Sequence, residues 1–469
     1  MKELWLKEKS LIYYICKKKY QVKITKLQIN DFHQFKNFEL DLTYPTGHEK
    51  EGQPLDKVCI IGQSGTGKTT LIELLGGLTH NFDILKGKYK LKSKDATITI
   101  CDNDITYQHE ISDKEGYWAS HYVRNNEKIE SKEFLKIYAS YIDAIKPNLI
   151  YYPAELKYEL TDTNEVIDFK GRAVIDFSMQ NASAIWNLIL NDIQTYQEKE
   201  LEIRQEISRR VENSGSDIDA IKEAVKTLEE WKQTNFNPII DLAENCLNPI
   251  LKRFNLQVKT DLDIKKKDDI GFIKIEDLNK NEIPYGLLST GTKQVILSAL
   301  PMYLLKPNQT IICFDEPERS LYPDIQQEVI GYYESLVTNC QMFFATHSPI
   351  IASSFEPWEI VELKFNEEGK IFQEKYYDEQ KGRHVDNYNV DPNYLTIDLI
   401  LSKIFDLKET HSPVRNEKIT EVLMLRNILE KLKNENKTKS QKFKDIYQKY
   451  QDLASKLSWD FEIPMYAED

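Results

Sequence analysis

The sequence predicts an α/β protein: a mixed sheet flanked by helices, interrupted by an inserted helical hairpin and followed by a helical C-terminal region. Three observations predict it. A compact apolar strand at residues 57–61 runs straight into a glycine-rich loop and then a helical pattern. Apolar strands at 310–314 and 342–345 each end in polar, reactive side chains. Between these halves, from residue 182 to 231, apolar residues recur every three or four positions amid charged ones.

In chain order, Val22, Ile24, Leu27 and Ile29, then Phe32, Phe35, Phe38, Leu40 and Leu42, mark two strands joined by a short turn. The helix after the glycine-rich loop carries Leu71, Ile72, Leu74 and Leu75. Residues 82–160 read as further strands, at 97–101 and 149–152, separated by polar loops. Ile185, Ile189, Ile193, Tyr196, Ile203, Ile207 and Val211 then stripe one helix. At about 30 residues it would be about 45 Å long. The run Asn213-Ser214-Gly215-Ser216 breaks it, and a second stripe follows at Ile218, Ile221, Val225, Leu228 and Trp231, ending before Pro238. This hairpin is either an arm projecting from the α/β head or a compact helical subdomain packed on it. Beyond it the sequence predicts a strand at 272–276, a helix at 295–305, the two apolar strands, strand-like runs at 358–365 and 370–377, and helices at 395–405 and within the Lys/Glu-rich 416–458. The predicted domains are 1–180 (head, N-terminal lobe), 181–252 (arm), 253–392 (head, C-terminal lobe) and 393–469 (helical C-terminal region).

Composition narrows the class. With 469 residues, 29% charged, 41% hydrophobic and a net charge of -13, the chain is an ordinary acidic globular protein of several structural units. That balance does not advertise nucleic-acid binding, although local Lys clusters remain compatible with it. The cysteines Cys16, Cys59, Cys101, Cys246, Cys313 and Cys340 never form a C-x-x-C pair, which argues against a zinc ribbon or a disulfide framework and for a reducing, cytoplasmic setting. The apolar stretch 11–16 is short for a signal peptide and is followed by Lys17, Lys18 and Lys19. No window approaches the roughly 18 apolar residues of a membrane helix, so export and membrane insertion are not expected.

Four motifs carry chemistry. Gly62-Gln63-Ser64-Gly65-Thr66-Gly67-Lys68-Thr69, followed by Thr70, satisfies G-x-x-x-x-G-K-[ST] between a strand and a helix. Its glycines let backbone N–H groups wrap phosphates, Lys68 can neutralise β- and γ-phosphate oxygens, and the Thr69 hydroxyl can ligate Mg²⁺. The strand Ile311-Ile312-Cys313-Phe314 delivers Asp315 and Glu316 to its C-terminal end. There Asp315 suits Mg²⁺, and Glu316 suits the orientation and deprotonation of water. The third motif, Leu288-Ser289-Thr290-Gly291-Thr292-Lys293-Gln294, opens an apolar helix; taken alone it is equally a helix N-cap at Ser289 or Thr290. The fourth is the strand Phe343-Phe344-Ala345 leading into Thr346-His347-Ser348-Pro349.

In this order the motifs resemble those of ABC-type P-loop ATPases. The 288–294 run resembles the family's signature loop, with Thr290 in place of its first Gly. His347 resembles the switch histidine, and Arg319-Ser320-Leu321-Tyr322-Pro323 the dimer-contacting loop. The resemblance implies an ABC-type head that hydrolyses ATP to ADP and phosphate with Mg²⁺. Its catalytic residues would be Lys68, Glu316 and His347, and Leu288, Ser289, Thr290 and Gly291 would act in trans on ATP held by a second copy. It therefore implies a homodimer closed by ATP, with larger oligomers left open.

The opening Leu27-Gln28-Ile29-Asn30-Asp31-Phe32-His33-Gln34-Phe35 resembles that of the SMC, RecF and overcoming-lysogenization-defect (OLD) group, with His33 where those relatives carry Arg. Tyr152-Pro153-Ala154-Glu155 is similar to a segment that OLD-like ATPases place near the polar metal-contacting loop, for whose glutamine Gln108 is a candidate. The strings D-E-P-E-R-S-L-Y-P and A-T-H-S-P, with the short arm, look most like ATPase subunits of Septu or retron-associated antiphage systems. By analogy the chain would regulate a separate effector, a nuclease, since neither the D-x-D of a Toprim domain nor an H-N-H arrangement follows His347. The region 393–469 would be its docking surface or, equally, a helical cap on the head. The alternative is a RecF- or SMC-like repair ATPase that clamps DNA directly.

Overall fold

The computed structural model describes residues 23–79, 96–102, 105–112, 119–124, 127–129, 147–156, 172, 174–178, 182, 184–214, 218–262, 272–373, 391–405, 407 and 412–458. The 11–19 stretch, the break at Gly215 and Ser216 and the end of the 370–377 run lie outside them. The chain divides into two compact units, Met1–Ile397 and Asp398–Asp469.

The first unit is built on one large sheet. Its strands begin with β1 (Lys23–Phe32), β2 (Phe35–Asp41), β3 (Lys57–Gly62), β4 (Ala96–Asp102), β5 (Ile105–Ser112), β6 (Ala119–Arg124), β7 (Glu127–Ile129), β8 (Leu149–Tyr152) and β9 (Val174–Asp176). A separate antiparallel sheet holds β10 (Leu256–Val258), β11 (Ile275–Asp277) and β12 (Glu282–Ile283). The large sheet resumes with β13 (Ile311–Asp315), β14 (Gln341–Ala345), β15 (Ile360–Phe365) and β16 (Ile371–Gln373). Its spatial order is β7-β6-β5-β4-β1-β2-β16-β15-β3-β14-β13-β8-β9.

From β15 to β9 neighbouring strands are parallel, whereas from β7 to β2 they are antiparallel. Burial follows that division. Every residue of β8, β13 and β14 is buried, which requires continuous apolar runs, while β2 alternates between core and solvent.

Register positions the site. Asp315 stands opposite Ala345, which stands opposite Ile60, so β13 and β14 end level and β3 runs two residues further, to Gly62. The loops after these strands therefore converge at their carboxyl ends, where parallel α/β sheets place ligands. Helix α1 (Lys68–Thr79) buries Leu71, Ile72, Leu74 and Leu75 against this region. A Cβ on Gly76 would lie 3.1 Å from Leu149 Cδ2, so the small residue lets α1 settle closely on β8.

Helices α2 (Ala184–Ser214) and α3 (Ile218–Thr234) form the inserted hairpin. The start of α2 is core, with Ile185, Trp186, Ile189 and Ile193 buried. From Tyr196 to Glu212 its residues are exposed or half-buried, and it meets α3 through the Tyr196–Trp231 ring pair, centroids 4.9 Å apart, and the Glu200–Lys232 ion pair at 2.8 Å. Helix α4 (Thr290–Leu305) is apolar on nearly every side and buried accordingly; α5 (Pro323–Ser335) packs beside it through Tyr333, whose hydroxyl lies 2.7 Å from Ser298 Oγ.

The second unit is a helical hairpin, α6 (Pro413–Asn434) and α7 (Gln441–Lys456), closed around Val422, Leu425, Leu429, Tyr450, Ala454 and Leu457. The helical run expected over 416–458 is thus two helices, the second started by the Ser440 cap, whose hydroxyl accepts from the Phe443 N–H. Two strand boundaries also shift. The strand expected at 272–276 occupies Ile275–Asp277, and the start of the 358–365 run is a 3₁₀ turn over Pro357–Glu359.

Candidate nucleotide-binding site

The 62–69 loop connects β3 to α1 by a backbone path that glycine permits. Gly65 and Gly67 adopt φ of 85° and 80°, and a Cβ on Gly67 would sit 2.4 Å from Gln34 Nε2 and 3.0 Å from the Phe35 ring. Gln34, in the β1–β2 turn, donates to the Gly65 carbonyl at 3.1 Å, so the opening hairpin braces the loop. His33 in the same turn is exposed, with φ of 52°. Gln63, Ser64 and Gly65 are exposed, Thr66 and Lys68 are buried, and Gly62, Gly67, Thr69 and Thr70 are half-buried.

Lys68 Nζ folds back on the loop and donates to the carbonyls of Gly62 (2.9 Å) and Gln63 (3.2 Å). Burial pulls its pKa down to about 8 against the opposing pull of Asp315, Glu316 and Glu318. The Thr69 hydroxyl donates to Asp315 Oδ2 at 2.8 Å, joining residues 246 apart in sequence. Burial pushes Asp315 up to about 6; Glu316 and Glu73 add to the rise, and Thr69 and Lys68 oppose it.

The adjacent Glu316 has φ of 50°, and its N–H donates to the Ala345 carbonyl at 2.8 Å. A non-glycine residue in that conformation turns the chain sharply at the strand end. In the loop after the neighbouring β14, His347 is exposed, and its pKa is lowered by partial burial and by the nearby Lys68 charge, opposed by Glu316. Lys68, Asp315, Glu316 and His347 therefore share one electrostatic neighbourhood.

Ser289 caps α4: its hydroxyl accepts from the Thr292 N–H at 3.1 Å and lies 2.7 Å from Thr292 Oγ1. Leu288 is buried, whereas Ser289 and Thr290 are exposed. A Cβ on Gly291 would lie 2.4 Å from the Ser320 carbonyl oxygen, so this turn packs backbone to backbone on the loop after Asp315 and Glu316. The N-cap and the signature-like turn are consequently the same residues.

Several contacts escape sequence reading. Gln294, last in the quoted 288–294 run, holds the loop after β8 from both sides: it donates to the Ala154 carbonyl at 2.9 Å and accepts from the Leu156 N–H at 3.1 Å. Arg319 pairs with Glu155 of that loop at 3.4 Å. Gln108 lies on β5, in the antiparallel part of the sheet, between Thr99 of β4 and Val123 of β6. Glu318 touches the His347 loop, as described below. These pairings join distant stretches of chain, and the one available signal was that Gln294 and Glu318 sit inside motif strings.

The donor set fits a magnesium nucleotide. A hydroxyl and a carboxylate side by side are the hard oxygen ligands Mg²⁺ prefers, and the glycine cradle with its buried lysine suits a polyphosphate. Among the described residues no cluster of three or more His, Cys, Asp or Glu side chains has metal-binding geometry, and no helix is long and apolar enough to cross a membrane.

No curated protein sequence matches the chain. Solved structures that match include the Smc head domain of Pyrococcus furiosus with an extended coiled coil, bound to the C-terminal domain of ScpA: 14% identity, 75% of this chain and 96% of that one, TM-score 0.40. Another is an SmcHead bound to the C-winged helix domain of ScpA (16%, 75% and 97%, TM-score 0.40), and a third the SMC head domain of Thermotoga maritima (14%, 76% and 100%, TM-score 0.38). The family model for the AAA ATPase domain (AAA_15) matches residues 23–352, from the first strand of the sheet to the helical turn that follows His347. Glycine loop, acidic strand and switch-like histidine all fall within that span, and the chain belongs to this AAA ATPase domain family.

Proposed function

We propose that the chain binds and hydrolyses ATP in a site shared by two copies of itself, and uses the resulting closure to regulate a separate effector. The observation that carries the hydrolytic reading is the 2.8 Å contact of Thr69 with Asp315, which joins the glycine loop to the acidic strand. Lys68 exchanges its two carbonyl partners for β- and γ-phosphate oxygens. Thr69 and Asp315 would hold Mg²⁺, whose charge offsets that of the phosphates. Glu316 orients a water molecule and takes its proton as the water oxygen bonds to the γ-phosphorus; the bond to the β–γ bridging oxygen breaks, and ADP leaves with that electron pair. His347, exposed beside Lys68 and Glu316, contacts the γ-phosphate and the water.

The exposed Ser289 and Thr290 at the N-terminus of the second copy's α4 supply N–H groups and a hydroxyl to the same γ-phosphate. Exposed Leu287 and Tyr322, 78% and 73% accessible, flank the signature-like turn and the 319–323 loop and suit the same subunit contact. In this reading residues 1–180 and 253–392 form the head, 181–252 the arm and 393–469 the effector-docking region.

The resemblance of the 315–323 and 345–349 strings to antiphage ATPases supports a nuclease as the effector and phage defence as the setting. The long exposed part of α2 favours a second reading in which the arm clamps DNA directly; salt-sensitive DNA binding by the isolated protein would support it. The hydrolytic assignment is tested with Glu316→Gln. It should bind ATP with wild-type affinity, lose at least about 100-fold in kcat and remain an ATP-bound dimer by light scattering. Wild-type turnover by this variant would remove Glu316 from its role.

A further inference from the structure

Glu318 follows the acidic pair by two residues and has no part in the roles above. Its Oε1 accepts two hydrogen bonds from the loop that carries His347: one from Thr346 Oγ1 at 2.6 Å and one from the His347 backbone N–H at 3.0 Å. Its Oε2 is buried and has no hydrogen-bond partner among the described residues.

Local geometry builds this bridge. The turn at Glu316 is closed by the Arg319 N–H donating to the Glu316 carbonyl at 3.0 Å and the Leu321 N–H donating to the Glu318 carbonyl at 2.9 Å. That turn throws the Glu318 side chain across the end of β14. From the far side, Gln326 of α5 accepts from Ser348 Oγ at 2.6 Å and donates to the Leu321 carbonyl at 2.8 Å. Residues 346–348 are thus tethered to the segment after the acidic pair at two points, and Glu318 holds the one at the histidine itself.

A carboxylate is a costly choice for a merely structural tie, because half of its acceptor capacity is buried and unused. The strands need no such help: the Glu316 N–H already donates to the Ala345 carbonyl and the Thr346 N–H to the Ile60 carbonyl, at 2.8 and 3.0 Å. What the bridge adds is a fixed position for the His347 backbone, and hence for an exposed imidazole beside Lys68 and Glu316.

We propose that Glu318 is a positioning residue for hydrolysis, acting through His347: its carboxylate oxygen pins the Thr346 hydroxyl and the His347 amide, so that the imidazole meets the γ-phosphate in one orientation. The proposal rests on the role given to His347 above. It requires an acceptor oxygen at this place and no negative charge.

The test uses the full chain with Glu318→Ala, Glu318→Gln, His347→Ala and the Glu318→Ala/His347→Ala double variant, reading kcat, KM for ATP and amide hydrogen exchange at His347. Glu318→Ala should lower kcat by about 10-fold or more with KM within about threefold, and should speed His347 exchange by about 10-fold or more. Glu318→Gln keeps an acceptor oxygen and should return kcat and exchange to within about threefold of wild type. The double variant should turn over no more slowly than His347→Ala alone, because the bridge acts through that histidine.

Glutamine as damaging as alanine, unchanged exchange in Glu318→Ala, or a double variant slower by the product of the single losses would each overturn the proposal. Should Glu318→Ala fail to fold, Thr346→Val removes one donor of the bridge and should lower kcat by about threefold at unchanged KM; an unchanged kcat would overturn the proposal. A wild-type protein that hydrolyses no ATP would defeat the proposed function, whereas an active wild type with an indifferent Glu318 would defeat this inference alone.

Discussion

The 62–69 loop and the 288–291 turn each lead from sheet or turn into a helix, α1 and α4, but they are secured in opposite ways. The first is held from outside. Gln34 braces Gly65, Asp315 receives Thr69 from 246 residues away, and Lys68 is buried with its ammonium group on loop carbonyls. The second is held from within: the Ser289 hydroxyl is satisfied by Thr292 of its own helix, Ser289 and Thr290 face solvent, and the tight approach is that of Gly291 to Ser320. A loop organised by distant residues is ready to receive charge where it lies. A turn that satisfies itself and leaves its N-cap exposed suits presentation to a second copy, and this difference is why we propose that the two loops lie on opposite sides of one nucleotide.

The comparison breaks most sharply at Lys68. Lys68→Ala should weaken nucleotide binding by about 100-fold or more in calorimetry, since the phosphate loses its principal counter-charge. Ser289→Ala should leave the affinity of dilute, monomeric protein within about threefold. Equal losses in the two variants would place both loops on the same copy's nucleotide.

Smaller effects follow at the glycines. Gly291→Ala forces a Cβ to within 2.4 Å of a backbone oxygen, and should cost about 1–3 kcal/mol in urea denaturation. Gly286→Ala, with no atom within 4 Å of its added Cβ, should change stability by less than about 1 kcal/mol. Matching losses would show that the Ser320 contact yields freely. Ser289→Ala removes an N-cap and should cost about 1 kcal/mol by the same assay.

The smallest effect lies away from both loops, at Asp56. Burial would raise its pKa, but Lys23 and Lys50 outweigh that and hold it down at about 2. With the folded pKa below the unfolded one, the contribution is fully present above about pH 4 and is lost as the pH falls through about 2. Solvent reaches this carboxylate, so the effect is modest. Asp56→Asn should lower stability modestly near neutrality and flatten the acid limb between these values, so that variant and wild type converge as the pH falls through about 2.

The legible parts of the fold were those whose burial is written continuously along the chain. Residues 58–61, 311–314 and 342–345 are apolar without interruption because parallel strands bury both faces, and each ends at its motif. The α2 and α3 stripes were legible through their period. Strands β5, β6 and β7 were not: they lie in polar sequence such as Ile105–Ser112, where pairing partners determine the strand more than side-chain pattern does. In the site, Lys68, Thr69, Asp315, Glu316 and His347 could be named because their chemistry is tied to local strings. Glu318 and Gln294 could not be given roles, because each acts on a backbone brought near only by the fold, 29 residues away for Glu318 and His347 and 140 for Gln294 and Ala154.

The most direct test of the shared site mixes two disabled proteins. Lys68→Ala leaves the 288–291 turn intact, and Ser289→Arg obstructs that turn while sparing the glycine loop. If the site is shared, each alone is nearly inactive, and an equimolar mixture recovers ATPase activity approaching about a quarter of wild type, because half of the randomly paired dimers carry one intact site. A mixture no more active than the mean of its two components would contradict the account, since each copy would then need its own glycine loop and its own turn.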